Sequence, residues 1–283
     1  MPTTLDLGRA THVLGSRTLL MGILNVTPDS FSDGGRHNAL DAALDRAVLM
    51  VEEGADLVDV GGESTRPGST EIDAETELSR VLPVLERLGE RIAVPVSIDT
   101  YKAAVADRAL QAGAHIINDV WGLQRDPDMA AVAAAHGAPV IVMHNRREVD
   151  PALDIVDEVR SFFLRSLVIA EKAGIREDRI VLDPGIGFGK TLPQNVELIA
   201  RLDAVRAMGL PVLLGASRKS LIGGLTGIAV GDRLPGTIAT HMLGVARGAD
   251  ILRVHDVAAH VQAVKVTDAI VRAAKPAGWR GEG

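Results

Sequence analysis

Cysteine is absent from the 283-residue sequence, which excludes disulfides and thiolate metal sites, although it does not fix the compartment. Aromatic residues make up only 2% of the chain, so any core must be built from Val, Ile, Leu and Ala. This palette is typical of buried parallel strands flanked by Ala-rich helices. An apolar span of about 20 residues and an apolar N-terminal leader are also missing. The default expectation is a cytoplasmic protein without a membrane partner.

Long basic runs are missing as well. The net charge is −7 and the isoelectric point about 5.6, and Lys and Arg never cluster into a stripe that could follow a phosphate backbone. Nucleic acid is therefore excluded as a partner. The 47% of hydrophobic and 24% of charged residues are the balance of a soluble globular protein.

The chain alternates short apolar runs with longer amphipathic segments, and this unit occurs eight times. Apolar strands separated by helices indicate a parallel sheet. Eight units fit a closed (β/α)8 barrel better than the alternative, an open doubly wound α/β sheet. The predicted strands are Thr18–Val26, Asp56–Val60, Val94–Ile98, His115–Val120, Pro139–Met143, Ile180–Leu182, Pro211–Gly215 and Ile251–Val254.

No linker rich in Pro, Ser or charge divides the chain, so we expect a single domain over residues 1–283. The barrel is expected to occupy about residues 18–274, preceded by a short hairpin across its floor within Thr3–Arg17. Residues 275–283, which are rich in Gly and charge, are expected to form a disordered tail.

Polar side chains follow the predicted strands at their carboxyl ends, where barrel enzymes carry their active sites. An Asp or Ser at such a position can be an ordinary helix N-cap, but Lys219, Arg253 and His255 are poor N-caps. The whole set therefore predicts a pocket at one mouth of the barrel. Its members are Asn25, Asp99, Asn118, Asp183, Lys219, Arg253 and His255.

The predicted pocket combines acceptors with donors. Asp99, Asn118 and Asp183 supply carboxylates and an amide. Lys219 and Arg253 can only donate. A flat heterocycle with an amino-pyrimidinone edge needs both kinds of partner.

A second group is cationic with one neutral oxygen ligand. This combination suits a pyrophosphate together with Mg2+, which takes few protein ligands and keeps most of its waters. The group consists of Asn25, Arg66, Arg253 and His255.

The Gly-rich stretch that follows Asp183 does not match a nucleotide-binding loop. Pro184 stands where a P-loop needs its first Gly, and Lys190 stands where a dinucleotide fingerprint needs its third. A metal-dependent hydrolase is another rival on a barrel, but the histidines are too scattered for a zinc site. Surface or packing positions are predicted for His12, His37, His136, His241 and His260.

Five long motifs at strand ends together resemble the dihydropteroate synthase family. The similarity extends in order from about Leu19 to Ala274. It implies a (β/α)8 barrel that joins 6-hydroxymethyl-7,8-dihydropterin pyrophosphate to p-aminobenzoate, with Mg2+ as cofactor, as a sulfonamide-sensitive homodimer. The motifs run from Met21 to Gly35, from Gly61 to Gly68, from Asp183 to Lys190, from Gly215 to Ser220 and from Arg253 to Asp256.

The resemblance also implies a role for each matching residue. Arg253 would stack on the pterin and, with His255, bind the pyrophosphate, while Asn25 would ligate Mg2+. Asp33 would support the developing positive charge, or it is only a turn residue before two glycines. The pterin edge would be held by Asp99, Asn118, Asp183 and Lys219. The p-aminobenzoate site would consist of Phe31, Thr65, Arg66, Pro67, Phe188 and Ser217. The catalytic residues would be Lys219, Arg253, His255 and Asp33.

The implied dimer would use outer helices near the seventh and eighth strands, with Ile238, Met242 and Val245 along one face of the segment 236–246. One stretch departs from the family pattern. The residues after His144 lack the usual Arg-Gly pair, so no role is assigned to His144.

Two alternatives stay open. A pterin-dependent methyltransferase would keep the pterin contacts but would need neither the loop at residues 65–67 nor the pair Arg253 and His255. A non-catalytic pterin-binding paralogue would have lost Asn25, Lys219 or that loop, and all of them are intact in this sequence.

Overall fold

The chain folds as an alternation of strands and helices. The computed structural model describes residues 4–27, 35–64 and 69–273, with the backbone alone at 35–38. The predicted tail at 275–283 lies outside the described residues. The strands are β1 (Thr4–Asp6), β2 (Thr11–Val13), β3 (Leu19–Asn25), β4 (Leu57–Gly61), β5 (Val96–Asp99), β6 (Ile116–Asp119), β7 (Val140–Met143), β8 (Ile180–Asp183), β9 (Leu213–Leu214) and β10 (Ile251–Val254).

Helices connect these strands. They are α1 (Gly35–Glu53), α2 (Ala74–Arg91), α3 (Ala103–Gln111), α4 (Met129–His136), α5 (Ile155–Ala173), α6 (Leu192–Ala200), α7 (Leu202–Arg206), α8 (Ser220–Thr226), α9 (Leu234–Ala246) and α10 (Val257–Val271). Short 3-10 helices lie at Glu177–Arg179 and Val230–Asp232. Within the described part of the chain, no helix is long and apolar enough to cross a membrane.

Strands β3 to β10 form one parallel sheet of eight strands in the order β8-β7-β6-β5-β4-β3-β10-β9. The two ends of this sheet meet where Leu182 pairs with Val212, and the Leu182 N–H donates to the Pro211 carbonyl at 2.9 Å. This pairing closes the sheet into a barrel. The predicted (β/α)8 fold is confirmed.

The barrel strands are buried on both faces. Every residue of β7 is buried, and the same holds for β4, β5, β6 and β8. β-Branched residues suit such strands because they pack well on a pleated surface. A polar side chain inside such a strand needs a hydrogen-bond partner, because water cannot reach it.

Local signals set the helix boundaries. Asp73 caps α2 by accepting the Thr76 N–H at 2.7 Å, and Thr191 forms a capping box at the start of α6. Gly174 ends α5 with a left-handed φ of 84°. These caps fix the residues at which the helices begin or end.

The predicted N-terminal hairpin is confirmed and covers the amino-terminal mouth of the barrel. Strands β1 and β2 pair antiparallel, and Leu5 and Leu7 are fully buried against the strand starts, which include Leu19 and Ile251. Arg179 Nη2 donates to Asp6 at 2.8 Å and ties the hairpin to the 3-10 helix before β8. The hairpin seals this mouth, so a pocket belongs at the opposite one.

Helix α9 corrects one expectation about the dimer face. Val245 is only 1% exposed, whereas Leu243 is 63% exposed. The helix buries Thr237, His241 and Val245 at helical spacing, so this face turns toward the barrel. The prediction that Val245 lies on an outer face is wrong.

Candidate active site

The carboxyl ends of the strands bring the predicted polar residues to one mouth of the barrel. Asp99 pairs in register with Asn118, Met143 with Asp183, and Asn25 with Gly61. Asp99 is 4% exposed, Asn118 3% and Asp183 5%. These side chains are therefore buried polar groups at the end of a closed barrel.

Asp59 joins them from the middle of β4, where it is fully buried. Its carboxylate accepts Asn118 Nδ2 at 3.1 Å, Arg253 Nε at 2.6 Å and the Ser97 hydroxyl. Asp59 was not among the predicted site residues, although a lone carboxylate inside an apolar strand is a signal of such a residue. We call Asp59, Asp99, Asn118 and Asp183 the inner wall.

Arg253 lies across the inner wall. Its Nη2 group donates to Asp99 Oδ2 at 2.7 Å while its Nε stays on Asp59. Burial raises the pKa of Asp99 to about 7, and Arg253 opposes that rise. The other oxygen of Asp99, Oδ1, is buried and has no hydrogen-bond partner among the described residues. Leaving a buried acceptor unpaired is costly, so Asp99 is arranged to receive a donor from a ligand.

Lys219 approaches from the loop after β9. Its Nζ donates to the Ile186 carbonyl and lies 4.5 Å from the centre of the Phe188 ring. Burial lowers the pKa of Lys219 to about 8, while the Asp183 carboxylate favours the charged form. Burial also raises the pKa of Asp183, whose Oδ1 accepts the Gly185 N–H at 2.8 Å. A donor and an acceptor therefore share this side of the pocket.

Apolar side chains pack together beside these polar groups. Tyr101, Val120 and Met143 form a small buried cluster, and the half-buried Trp121 and Phe188 pack against it. A flat ring whose edge reaches polar groups needs apolar surface of this kind for its faces.

The Gly-rich segment after Asp183 is a turn held by Lys190. The Lys190 ammonium donates to the carbonyls of Gly185 at 2.7 Å, Phe188 at 2.9 Å and His144 at 3.4 Å. Burial lowers the pKa of Lys190, but three carbonyl acceptors match the three N–H groups of the charged form. Gly185 has a φ of 66°, and a Cβ there would overlap the His144 carbonyl oxygen. The turn thus fixes the position of Phe188.

Ser217, Arg218 and His255 lie just beyond β9 and β10, and we call them the outer rim. Ser217 Oγ lies 2.9 Å from His255 Nδ1 and accepts the His255 backbone N–H at 3.2 Å. Arg218 has a φ of 56°, which is uncommon for a residue with a Cβ. Its N–H donates to Thr237 Oγ1 at 3.0 Å, and its guanidinium bonds Asp256. Such a conformation persists only where the surroundings enforce it.

Asn25 is the predicted metal ligand. In the described ranges, no group of three or more His, Cys, Asp or Glu side chains could hold a metal ion. A Cβ built on Gly61 would lie 3.8 Å from Asn25 Oδ1 and 3.7 Å from Asp99 Oδ2, so both oxygens lie close to Gly61. Hard oxygen donors of this kind fit Mg2+, which completes its coordination with water and phosphate oxygens.

Comparison with known proteins decides the family. A family model described as pterin binding enzyme matches residues 21–255. The curated dihydropteroate synthase of Clostridium beijerinckii is 46% identical over 269 residues, which are 95% of this chain and 100% of that protein. This chain belongs to the dihydropteroate synthase family.

Solved dihydropteroate synthases share the barrel. The Xanthomonas albilineans enzyme with 4-aminobenzoic acid is 46% identical with a TM-score of 0.90, over 95% of this chain and 98% of that one. The same enzyme in complex with 7,8-dihydropteroate gives 44% and 0.86, over 94% and 98%. The Yersinia pestis enzyme in a sulfonamide drug complex gives 43% and 0.88, over 94% and 98%.

The dihydropteroate synthase resemblance assigns roles to residues of two loops, at 27–36 and 64–71. The structure shows how the two ends of the second loop are held. Glu63 accepts the Tyr101 hydroxyl and the Ile72 N–H, each at 3.2 Å, and pairs with Lys102. Lys102 Nζ also lies 2.6 Å from the buried Glu77. These bonds anchor both ends of the second loop against β5. Outside the described residues lie Phe31, Asp33, Thr65, Arg66 and Pro67.

His144, to which no role was assigned, packs away from the polar pocket groups. Its ring is fully buried edge-on against Phe162, with 4.8 Å between ring centres. Neither ring nitrogen has a partner in the part of the chain that the structure describes, and burial lowers its pKa to about 2. Only its backbone carbonyl serves the site, through Lys190.

Proposed function

We propose that the protein is a dihydropteroate synthase, which condenses 6-hydroxymethyl-7,8-dihydropterin pyrophosphate with p-aminobenzoate and releases pyrophosphate. The observation that carries the proposal is the buried Asp99 oxygen, which lacks a donor among the described residues. It lies in a barrel mouth that also holds Asn118, Asp183 and Lys219. Membership of the family, with full-length similarity to its curated members, supports the reaction.

The pterin edge presents N–H donors and one carbonyl acceptor. Asp99 and Asp183 would accept the N–H groups, with Asn118 beside them, and Lys219 would donate to the carbonyl oxygen. With a pKa of about 8, Lys219 carries its charge at neutral pH. Charge-assisted hydrogen bonds of this kind are the stronger ones, so the inner wall would set the orientation of the ring.

Arg253 would lie beside the bound pterin. Its Nη2 group bonds Oδ2 of Asp99, which leaves the partnerless Oδ1 to accept the pterin N–H. Its Nε stays on Asp59. The guanidinium plane would stack on the ring, as the family resemblance implies, and its charge can meet the pyrophosphate.

The leaving pyrophosphate would be held by cationic groups. His255, Arg253 and Arg66 would bind it, and Ser217 holds the His255 ring at 2.9 Å. Mg2+ bound at Asn25 would neutralise charge on the leaving group. The Ser217 oxygen also accepts a backbone N–H, so we assign it positioning rather than nucleophilic work.

The reaction exchanges a C–O bond for a C–N bond. The bond from the exocyclic methylene to the pyrophosphate breaks, and its electron pair leaves with the pyrophosphate. The amine nitrogen of p-aminobenzoate then bonds the methylene and loses a proton. The electron-rich pterin would carry the intervening positive charge, supported by Asp33. Water must be excluded at this stage, and the resemblance implies that the loops at 27–36 and 64–71 do this by ordering over both substrates; residues 28–34 and 65–68 of these loops lie outside the described ranges.

The p-aminobenzoate site would lie between Phe188 and Ser217, completed by Phe31 and residues 65–67. Phe188 is fixed by the Lys190 turn and Ser217 by the outer rim, so the described side of this site is rigid. The sulfonamide drug complex of the Yersinia pestis relative supports binding of these drugs to this protein, and we assign them to the p-aminobenzoate site.

We further propose a homodimer in the cytoplasm. Leu243 on α9 and Val266 and Ile270 on α10 are 63%, 58% and 78% exposed, and they could form its apolar interface. Such an interface is expected to bury more than about 1,000 Å². Sedimentation of the purified protein measures its oligomeric state and so tests the homodimer.

Product formation from the two substrates, with and without Mg2+, tests the function. Lys219→Ala is expected to lower kcat/KM by about 10²-fold or more, because it removes a charged donor from the pterin. Lys172→Ala, at an exposed position on α5, is the matched control. A wild type that binds pterin without turnover would be the non-catalytic paralogue, and methyl transfer would identify the methyltransferase.

A further inference from the structure

Two buried histidines join the segments behind the outer rim. The Ala216 N–H donates to His241 Nε2 at 3.1 Å, and His241 Nδ1 lies 2.9 Å from His260 Nε2. His260 Nδ1 lies 2.7 Å from the Asp256 carbonyl oxygen. Both rings are fully buried. Ala216 and Asp256 are chain neighbours of outer-rim residues, so the row of bonds connects the ends of β9 and β10.

The backbone groups at the two ends fix the direction of every hydrogen bond. An amide N–H can only donate, and a carbonyl can only accept. His241 therefore accepts at Nε2 and carries its proton on Nδ1, which donates to His260 Nε2. His260 in turn carries its proton on Nδ1 and donates to Asp256. The row requires two neutral imidazoles, both in the Nδ1–H form.

The surroundings favour this neutral state. Burial lowers the pKa of His241, and His260 on α10, Lys219 beyond β9 and His255 beyond β10 lower it further. Burial also lowers the pKa of His260, although Asp256 opposes the shift. A proton added to Nε2 of His260 would face the Nδ1–H of His241, and a proton added to Nε2 of His241 would face the Ala216 N–H.

Packing alone does not account for the pair. Both residues were predicted to lie at the surface or in packing positions, but aliphatic side chains would fill the space without the cost of burying polar atoms. Each ring nitrogen has one partner, and a fully satisfied network specifies one arrangement of the elements that it joins. Here these elements are α9, α10 and the two strand ends that carry the outer rim.

We infer that His241 and His260 are positioning residues for the reaction, because they hold the segments that carry Ser217 and His255 at a fixed separation. The inference rests on the proposed function, in which these two residues serve p-aminobenzoate and pyrophosphate. The hydrogen bonds of the pair lead to the outer rim and not to the inner wall. Among the proposed pterin contacts, Lys219 shares a segment with the pair, since its N–H donates to the Ala216 carbonyl at 3.3 Å, whereas Asp99, Asn118 and Asp183 stand on other strands. Binding of the pterin ring is therefore expected to change less than binding of the other two ligands.

Steady-state kinetics of His241→Leu in the full chain test this. A shift of about 1 Å in a substrate site can lower the rate by up to about 10²-fold. Because Thr237 still supports the rim in this variant, we expect a change of about tenfold in the constants for the two rim ligands. The KM for p-aminobenzoate and the Kd for inorganic pyrophosphate rise by this factor, while the Kd for 6-hydroxymethylpterin stays within about twofold. His241→Gln, which keeps an acceptor and a donor, restores most of the loss.

Val264→Ala is the matched control, one helical turn from His260 on α10. Val264 is 6% exposed, so the variant removes buried packing without removing a hydrogen bond. It is expected to lower the melting temperature and leave both constants unchanged. If Val264→Ala raises them as much as an equally destabilised His241→Leu does, the pair only fills space and the inference is overturned. A wild type without dihydropteroate synthesis would instead refute the proposed function.

Nitrogen NMR of the wild type tests the proton positions that the pair requires, and variants serve only to assign the signals. We expect two buried imidazoles in the Nδ1–H form at neutral pH, assigned by their loss in His241→Leu and His260→Leu. A protonated ring or an Nε2–H form at either position would overturn the inference. The double variant is expected to raise the two constants no more than each single variant does, because the residues act as one unit.

Discussion

The inner wall and the outer rim are built from different kinds of contact. The inner-wall side chains stand on buried strands and bond one another, as Asp59 does when it accepts from Asn118. The outer-rim residues lie past the strand ends, and helices behind them hold their backbone. Arg218, for example, donates its N–H to Thr237 on α9. The wall is thus part of the barrel, whereas the rim depends on how the helices dock.

Because of this difference, a substitution at the inner wall is expected to cost more stability than one at the outer rim. In the ion pair of Arg253 with Asp59, the side chains are 19% and 0% exposed. In the pair of Arg218 with Asp256, they are 42% and 21% exposed. Breaking a buried pair costs about 3–5 kcal/mol, and an exposed pair contributes about 0–1 kcal/mol. We therefore expect the effects of substitution to follow burial.

The largest effect is expected at the turn that follows the inner wall. Gly185→Ala places a Cβ on the His144 carbonyl at a φ of 66°, so the turn must move. The free energy of unfolding is expected to fall by about 3 kcal/mol or more, with loss of activity. Gly174→Ala is the control, because its φ is 84° but nothing lies within 4 Å of the added Cβ. Urea unfolding that gives equal losses would contradict the steric explanation.

The next effect concerns the wall itself. Asp59→Asn keeps the shape but removes the charge that faces the Arg253 guanidinium. We expect a loss of about 3 kcal/mol in the free energy of unfolding and a lower kcat/KM, because Arg253 would lose one of its two buried carboxylate partners and keep only Asp99. Ser97→Ala removes only a hydroxyl bond to the same carboxylate and is expected to cost about 1 kcal/mol. Similar losses of unfolding free energy in both variants would mean that the charge of Asp59 contributes little to stability.

The wall and the barrel differ in how well the sequence predicts them. The strands were predictable because unbroken apolar runs are buried on both faces, and the polar mouth because parallel strands end together. Asp59 was not predicted as a site residue, since its partner Arg253 lies 194 positions away. For His241 and His260 only surface or packing positions were predicted, because their mutual bond depends on how α9 and α10 dock.

A pH dependence of stability is expected from His144. Its pKa of about 2 in the folded chain lies below the ordinary 6.5, so acid protonates the unfolded chain first. The stability that the neutral ring supplies is present above pH 6.5 and is lost below it, at up to about 1.4 kcal/mol per pH unit. Between pH 6.5 and 5.5, wild type is expected to lose about 1 kcal/mol more than His144→Leu.

The comparison with His144→Leu is needed because Asp99 in the inner wall changes stability with pH in the opposite direction to His144. The pKa of Asp99 is raised to about 7, so its contribution to stability falls as the pH rises. Subtracting the unfolding curves of the variant from those of wild type removes this contribution. Parallel curves for the two proteins would show that folding does not lower the pKa of His144.

The smallest effect is expected at the exposed ion pair of the outer rim. Asp256→Asn removes the exposed pair with Arg218 but keeps the Asp256 carbonyl that accepts from His260. We expect less than about 1 kcal/mol of destabilisation, screened further by salt. Thr237→Val removes the buried acceptor of the Arg218 N–H and is expected to cost about 1–3 kcal/mol and to raise the KM for p-aminobenzoate. If Asp256→Asn instead costs as much as Asp59→Asn, an ion pair fixes the rim as firmly as the wall, and docking of the helices is not what positions it.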